Sequence, residues 1–580
     1  MTPLPAPDAP SPSSDSAPGS TPTETTATPK PLWRAGTLTY TSGGLVTLFL
    51  LLLWGDFAWA MRDRSVGGMA AWYLNSIGVP NLLFGLLLTS FPALVALILG
   101  PIISVKSDRH RGPRGRRIPF LLLTTPIAAF GMLGLAWTPV LARWLHGLGQ
   151  PGSPLGSWLH EHLGASASGG RILELLENEM IVAVVCFGVF WAAFEFATIA
   201  GQAVFGGLIN DVVPKPLLGR FYALFRAVSL IDGMIFNFWI MGKVPNHFTL
   251  ILSIIGVFYG AAFLWVCFKV REGNYPPPPP VNPAHKRLAQ RLGAGTRTYF
   301  RECFSKPYYL SVFLMMMAAA VRFAPINTFA LPYAKSLAVS MDTYGKFLAL
   351  TYFISIMLSF PLGWLADRFH PLRVSIAALI GYVAVTVWGA LFATTPATFF
   401  VAWVLHGVLS GCYFTSAASL GQRLFPHDRF AQFASAAGIV TAPANMLVAP
   451  IVGQIIDQTG NIYRYTFTAG CVLAITALIL SAIVHRRFMQ LGGPNGYIAQ
   501  SEAHSPRTPR SGIGTARRGG SRGDPWTSSY RSAAGASAGS AWAVHFYVTS
   551  EHIASGQLCT GTATPASVRT TNAEVEAQCP

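Results

Sequence analysis

Apolar runs of roughly 20 residues recur along this chain, the length that crosses a bilayer when coiled as a helix. They lie near 38–60, 81–104, 118–138, 179–204, 218–240 and 248–270, then near 308–333, 346–366, 374–394, 398–422, 430–456 and 465–485. The pattern predicts an all-α integral membrane protein with twelve transmembrane helices in two sets of six. Five parts follow: a disordered N-terminal tail (1–37), a six-helix bundle (38–270) with an insertion at 139–178, a linker (271–306), a second six-helix bundle (307–490) and a disordered C-terminal tail (491–580).

Polar positions between the runs set the orientation. Lys106, Arg109, Arg111, Arg114, Arg116, Arg117, Lys215, Arg220, Arg368, Arg373, Arg423, Arg429, Arg486 and Arg487 fall on one side. The opposite loops mix scattered cations, Arg62 and Arg64 among them, with Glu161, Glu174, Glu177, Glu179, Asp342 and Asp457. Cation-rich loops stay cytoplasmic, so both termini and the linker are expected inside the cell, with the bundle in the cell's inner membrane. The linker opens on Pro276 to Pro280 and continues with Lys286, Arg287, Arg291, Arg297 and Arg301. It reads as a stiff spacer followed by a basic surface helix that meets anionic lipid.

Composition agrees. Charged residues make up 11% of the chain, against about 25% in soluble domains. The net charge of +17 does not imply nucleic acid, because the cations are split among short loops. Seven cysteines, with no CxxC pair among them, give neither a disulfide framework nor a metal site. Residues 1–30 lack the apolar core of a cleavable leader, so the first membrane helix is expected to direct insertion.

Two loop matches point to internal duplication. Ser107-Asp108-Arg109-His110-Arg111 follows the second run, and Gly363-Trp-Leu-Ala-Asp367-Arg368 follows the eighth. Pro214 to Phe221, with Arg220, links runs four and five, while Pro426 to Phe430, with Arg429, links ten and eleven. Parallel six-helix repeats of this kind occur in a large transporter class.

Gly363-x-x-x-Asp367-Arg368 resembles the loop motif of the major facilitator superfamily. The longer Ser107-Asp108-Arg109-x-Arg111 to Gly115-Arg116-Arg117-x-Pro119-Phe120 is similar to the pattern of the glycoside–pentoside–hexuronide and sucrose-type cation symporters. The resemblance covers about residues 38–495, and it departs from the general motif at Ser104, where glycine is usual. It implies a cytoplasmic gate between the halves made by Asp108, Arg109, Arg116, Arg117, Arg220, Gly363, Asp367, Arg368 and Arg429. For Arg114, Arg116 and Arg117, setting topology is an equal reading. A similar Gly453-x-x-x-Asp457 at the other end of run eleven reads as a chance match more readily than as a mirror-image latch.

Ionisable groups within the runs are costly, roughly 2.5–3.5 kcal/mol each at a helix centre, so they mark candidate substrate or coupling positions. In the first half these are Asp56, Glu195 with Thr198 and Gln202 on its face, and Arg226, Asp232 and Asn237 along run five. In the second half they are Arg322 and Asn327, His406 and Tyr413, and Asn445 between Pro443 and Pro450. The plain alternative is structural: arginines that neutralise acids across the bundle, and a packing histidine.

Acids, amides and aromatics facing a shared cavity suit a polyhydroxylated cargo. No phosphate-binding loop appears, so an ion gradient is the expected driver. A proton or sodium gradient is the remaining source. The resemblance implies a secondary transporter that couples H+ rather than Na+ to a sugar or glycoside; a monomer with no cofactor and no enzymatic activity is expected. The second reading is a non-transport assembly factor that handles a tetrapyrrole, a branch of the same superfamily with a similar second-helix loop.

Overall fold

The computed structural model describes residues 33–163, 166–277, 299–426, 429–497 and 499. Among the described residues, ten helical stretches are long and apolar enough to cross a membrane, or eleven when a bent pair is taken as one span. The stretch Lys215–Lys269 is 55 residues long and holds two of the expected spans. In chain order the spans are α1 (Ser42–Ser76), α2 (Asn81–Arg109), α3 (Ile118–Gly149), α4 (Glu179–Val212), α5 (Leu218–Ile235 and the turns after it) and α6 (Val244–Lys269). The second set is α7 (Pro307–Ser336), α8 (Met341–Phe369), α9 (Pro371–Phe392), α10 (Pro396–Ala417), α11 (Phe430–Gln458) and α12 (Tyr465–Gln490).

Several boundaries differ from the periodicity reading, each for a local reason. α1 does not stop near residue 60 but continues to Ser76. Gly67 and Gly68 resemble a stop, yet Gly68 packs against the Met241 side chain and the helix passes through. α3 runs to Gly149, so the insertion proper is shorter than 139–178, and it folds as two small helices, Pro154–Leu163 and Ala167–Glu177. α5 ends in a π-turn, Phe236–Ile240, and a 3-10 turn, Met241–Lys243, that leads straight into α6. α8 bends by 46° between Ser359 and Pro361, where proline removes a backbone donor.

The tails are also partly ordered. Residues 33–40, which overlap the N-terminal tail expected to be disordered, form a hairpin of β1 (Trp33–Ala35) and β2 (Leu38–Tyr40). Its Tyr40 hydroxyl donates to Val212 O at 3.0 Å. Gly493–Gly496 is a helical turn, and the Tyr497 hydroxyl donates to Leu424 O at 2.7 Å. The basic stretch 278–298 and the remainder of both tails lie outside the described residues.

Small residues bring the helices of a half together. A Cβ on Gly131 of α3 would lie 2.8 Å from the Phe194 backbone of α4, so these helices meet almost backbone to backbone. Gly407 of α10 instead makes room for a side chain, since a Cβ there would lie 2.5 Å from the Thr351 Cγ2 of α8. The outer surface is apolar instead: Leu50, Leu123, Phe130, Val189, Ile254 and Trp364 are all exposed. A belt of that kind needs lipid around it. The protein is a multi-pass integral membrane protein.

Candidate functional site

Each half buries a guanidinium on its first helix. Arg62 of α1 and Arg322 of α7 are both fully buried. The Arg62 guanidinium lies 3.9 Å from the Trp59 ring centre and 5.0 Å from that of Tyr259. Its Nη1 donates to Thr198 Oγ1 and to the Tyr259 hydroxyl, both at 3.4 Å, and Asp63 stands 3.6 Å away. Glu195, one turn from Thr198 on α4, is buried within the electrostatic reach of Arg62. A desolvated guanidinium gains roughly 2 kcal/mol or more from such aromatic faces. Aromatic rings thus cover part of a charge that the bilayer would otherwise expel.

The second half repeats the plan with different partners. The Arg322 guanidinium sits 4.5 Å from the Tyr382 ring and 4.3 Å from the Tyr413 ring. Tyr382 shares a 2.8 Å hydrogen bond with His406 Nδ1, and His406 Nε2 lies 3.1 Å from Asn327 Oδ1. Arg322, Asn327, His406 and Tyr413, predicted separately from α7 and α10, therefore form one buried network. Tyr382 of α9 completes it and was not foreseen.

Other predicted residues divide. Asp56 and Asp232 are buried and interact with each other and with Arg64. Asn237 donates to Gly233 O at 2.8 Å, bonding back within its own helix at the π-turn. Asn445 is buried with Oδ1 unpaired among the described residues. Gln202 and Arg226 are half-buried. Phe194 lies beneath Arg62, but Phe196, expected to flank Glu195 as well, faces outward at 47% exposure. Arg62 and Arg64 themselves were read as loop residues. The missing helix stop after Met61 and the Trp59–Arg62 spacing of three were the signals that place them inside.

The loop motif is built within each half. Arg117 pairs with Asp108 and, at 3.3 Å, with Asp211, while Arg116 reaches Asp211 at 2.5 Å. The Ser107 hydroxyl donates to Ser104 O at 3.1 Å and accepts from Arg117 Nη1 at 2.6 Å. In the second half Asp367 meets Arg423 at 3.4 Å and Arg429 meets Glu302 at 3.5 Å. Arg109, Arg220 and Arg368 are exposed. Gly363 meets nothing that a Cβ would strike. Among the described residues the ion pairs of Asp108 and Asp367 stay within their own halves, and the halves meet at the opposite face.

An acid from the linker completes the first loop. Glu272 accepts the backbone N–H of Arg116 at 2.9 Å, of Arg117 at 2.8 Å and of Ile118 at 2.6 Å, capping α3, which has no side-chain cap of its own. Gly115 has φ +94°, and a Cβ there would lie 2.5 Å from the Glu272 carboxyl carbon. Only glycine meets both demands. Tyr275 then stacks under Arg116, 4.2 Å from its guanidinium.

At the other face the halves interlock. Asp457 Oδ1 accepts Asn81 N at 2.9 Å and Asn81 Nδ2 at 2.8 Å, and Oδ2 accepts Leu82 N at 2.8 Å. Asp457 thus caps α2, whose N-cap residue, Pro80, supplies no side-chain bond. Asn461 and Tyr463 hold the Asn81 amide from α11's end. Gly453 closes the contact, since a Cβ there would lie 2.4 Å from Asn81 O. A parallel seam joins α5 to α8: a Cβ on Gly345 would lie 2.2 Å from Asn237 O, and one on Gly242 2.8 Å from Asp342 Cβ. The Gly453-x-x-x-Asp457 match, read from sequence as chance, is the centre of this contact.

The same face carries a separate cavity of about 710 Å³ beside Trp72, Arg143, Glu179 and His247, which no predicted residue but the α4-terminal Glu179 touches.

Comparison with known proteins covers both halves. The model of the Major Facilitator Superfamily matches residues 312–550, and that of the MFS/sugar transport proteins matches residues 48–147. No curated protein sequence matches the chain. Among solved structures, a bacterial homologue of the human lysosomal transporter Spinster, inward-facing and unoccupied, superposes with TM-score 0.54 at 15% identity, covering 78% of this chain and 99% of that one. The nucleoside transporter NupG gives 0.53 at 10% identity over 76% and 100%, and a D-xylose–proton symporter 0.51 at 14% over 75% and 97%. With twelve-span architecture, duplicated loops and matches in both halves, the chain belongs to the major facilitator superfamily of membrane transporters.

Proposed function

We propose that this transporter is a proton-coupled symporter of a sugar or glycoside, working by alternating access as a monomer. One observation carries the reading: each half holds a buried guanidinium ringed by aromatics and hydrogen-bonding groups, and among the described residues the buried carboxyls, Asp56, Glu195 and Asp232, lie in the first half. Flat rings and planar donors suit a polyhydroxylated cargo, and buried carboxyls suit a proton. Sodium is the alternative ion. The match of residues 48–147 to sugar transport proteins supports the cargo class.

In this reading Glu195, Asp56 and Asp232 serve coupling, while Arg322, Asn327, His406 and Tyr413 form the second wall of the site. Gln202, Arg226, Asn237 and Asn445 are secondary candidates. The cation-rich face is cytoplasmic in the cell's inner membrane, with both termini on that side, residues 38–270 and 307–490 as the rocking bundles, and 271–306 as their link. The Asp108 and Asp367 clusters become the inner gate when the halves close there, and the Asp457 contact is the outer gate.

The test is a panel of sugars and glycosides offered to proteoliposomes under imposed proton or sodium gradients. Accumulation driven by the proton gradient and abolished in Glu195→Gln is the expected result. Uptake indifferent to both gradients, or unchanged in that variant, refutes the mechanism.

A further inference from the structure

Asp56 and Asp232 form a second buried cluster, apart from Arg62. Asp232 is fully buried and Asp56 is 8% exposed. Among the described residues, Asp56 Oδ2 and both Asp232 oxygens accept no hydrogen bond. Asp56 faces Asp232 from α5, and Asp63 and Arg64 from its own helix; Asp232 faces Arg64 of α1. Arg64 nevertheless donates elsewhere. Its Nη2 bonds Ser229 Oγ at 2.9 Å, and its guanidinium lies 5.1 Å from the ring centre of Tyr352. Tyr352 is what α8 brings to the cluster from the other half, and a Cβ on the neighbouring Gly233 would lie 2.7 Å from its ring. Arg64 therefore reaches the seam between the halves.

Charge balance decides what is missing. Asp63 stands against Arg62, and the guanidinium that acts on both Asp56 and Asp232 is that of Arg64. An ionised carboxylate buried without a donor costs several kcal/mol. A hard metal ion needs about six oxygen ligands, more than this site offers, and Ser229 is already taken by Arg64. A proton needs one. We infer that Asp56 and Asp232 together hold a proton, and that its presence leaves Arg64 free to bridge Ser229 and Tyr352 across the halves. When the proton leaves for water, the ionised pair draws Arg64 back and the α5–α8 seam loses its cation. Proton occupancy is thereby linked to the contact between the halves. The assignment rests on the proposal that the transporter is proton-coupled, and it divides the acids, leaving Glu195 to the Arg62 side of the site.

The test needs no cargo. The full chain is reconstituted and followed by infrared difference spectroscopy through a pH titration. A second readout uses spin labels on cysteines at Lys243 and Lys346, with Cys559 and Cys579 replaced by serine. The expected wild-type result is a protonated-carboxyl band that disappears as pH rises, together with a lengthening of the α5–α8 distance. In a Glu195→Gln background, which removes the other buried carboxyl, Asp56→Asn/Asp232→Asn should lose that band and hold the short distance at every pH, and Arg64→Gln should hold the long one. Glu195→Gln should keep the pH-dependent distance. A band or a pH-dependent distance that survives in the double variant overturns the proposal, as does a wild-type-like response in Arg64→Gln. If these signals are intact and no gradient drives uptake, the transport reading fails while the proton site stands.

Discussion

Removing the charge of Asp457 should open the face that the structure shows closed. In Asp457→Asn the side chain keeps its shape, but one acceptor oxygen becomes an amide that points donors at the backbone N–H of Asn81 or Leu82. The structure gives three bonds at 2.8–2.9 Å to the lost charge. Hydrogen bonds to charged groups are worth roughly 1.5–3 kcal/mol each, and the charge on a helix N-terminus adds about 0.3–1 kcal/mol. Water replaces part of this when the gate opens, so a net cost of about 2–3 kcal/mol is reasonable. That is about a 30- to 150-fold shift towards the open state. The assay is the labelling rate of a cysteine at Gln454, half-buried beside the lock, by a membrane-impermeant maleimide. Cys559 and Cys579 are replaced by serine, and the five described cysteines are buried and form a low background. Gly453→Ala is the companion, because its Cβ strikes the Asn81 carbonyl rather than a movable side chain. Both variants should label faster. Rates equal to the parent's in both would show that Asp457 and Gly453 do not hold the face shut.

Glu272→Ala should uncap α3 and lower thermal stability in detergent by about 1–2 kcal/mol, with little change at the opposite face; an unchanged melting temperature would refute the cap. Arg62→Lys should lose most activity in the uptake assay despite keeping the charge, since the planar contacts with Trp59 and Tyr259 need a guanidinium; wild-type uptake would refute the stacked geometry. His370, between α8 and α9, is pushed down to about 4 by burial, with Arg423, Arg373 and His485 adding to it. Its neutral ring accepts Leu372 N at 3.3 Å as a helix cap. Being depressed in the folded state, this group stabilises the fold fully above its ordinary value of 6.5, and the contribution is lost as pH falls toward 4. Melting temperature should therefore drop over that window, and His370→Asn should flatten the drop.

The spans and the duplication were legible because both rest on local signals: apolar length for the helices, and Asp-Arg loops for the repeat. Arg322, Asn327, His406 and Tyr413 were legible one by one, though not as a network, because a costly polar residue inside an apolar run has few reasons to be there. Arg62 and Arg64 were not, because charge was taken as a helix end, and only tertiary packing supplies the rings that make a buried arginine tolerable. Tyr382 and Tyr259 carry no signal in the chain, since a tyrosine in an apolar run is ordinary. The capping acids were hidden for another reason. Asp457 and Glu272 complete helices that begin far away in sequence, and no periodicity connects them.

The linker's two ends belong to different bodies. Residues up to Tyr275 are clamped to the first half through Glu272, with Asn274 N bonded to Thr37 Oγ1 at 2.8 Å. From Tyr299 onward the chain is tied to the second half, where the Tyr299 hydroxyl and Glu302 both grip Gln432. A chain divided anywhere in 278–298 would leave each fragment with its own fastening. Covalent continuity is then not what registers the two halves; the seams at α2–α11 and α5–α8 carry the information for assembly. Two separately expressed fragments should find each other in the membrane.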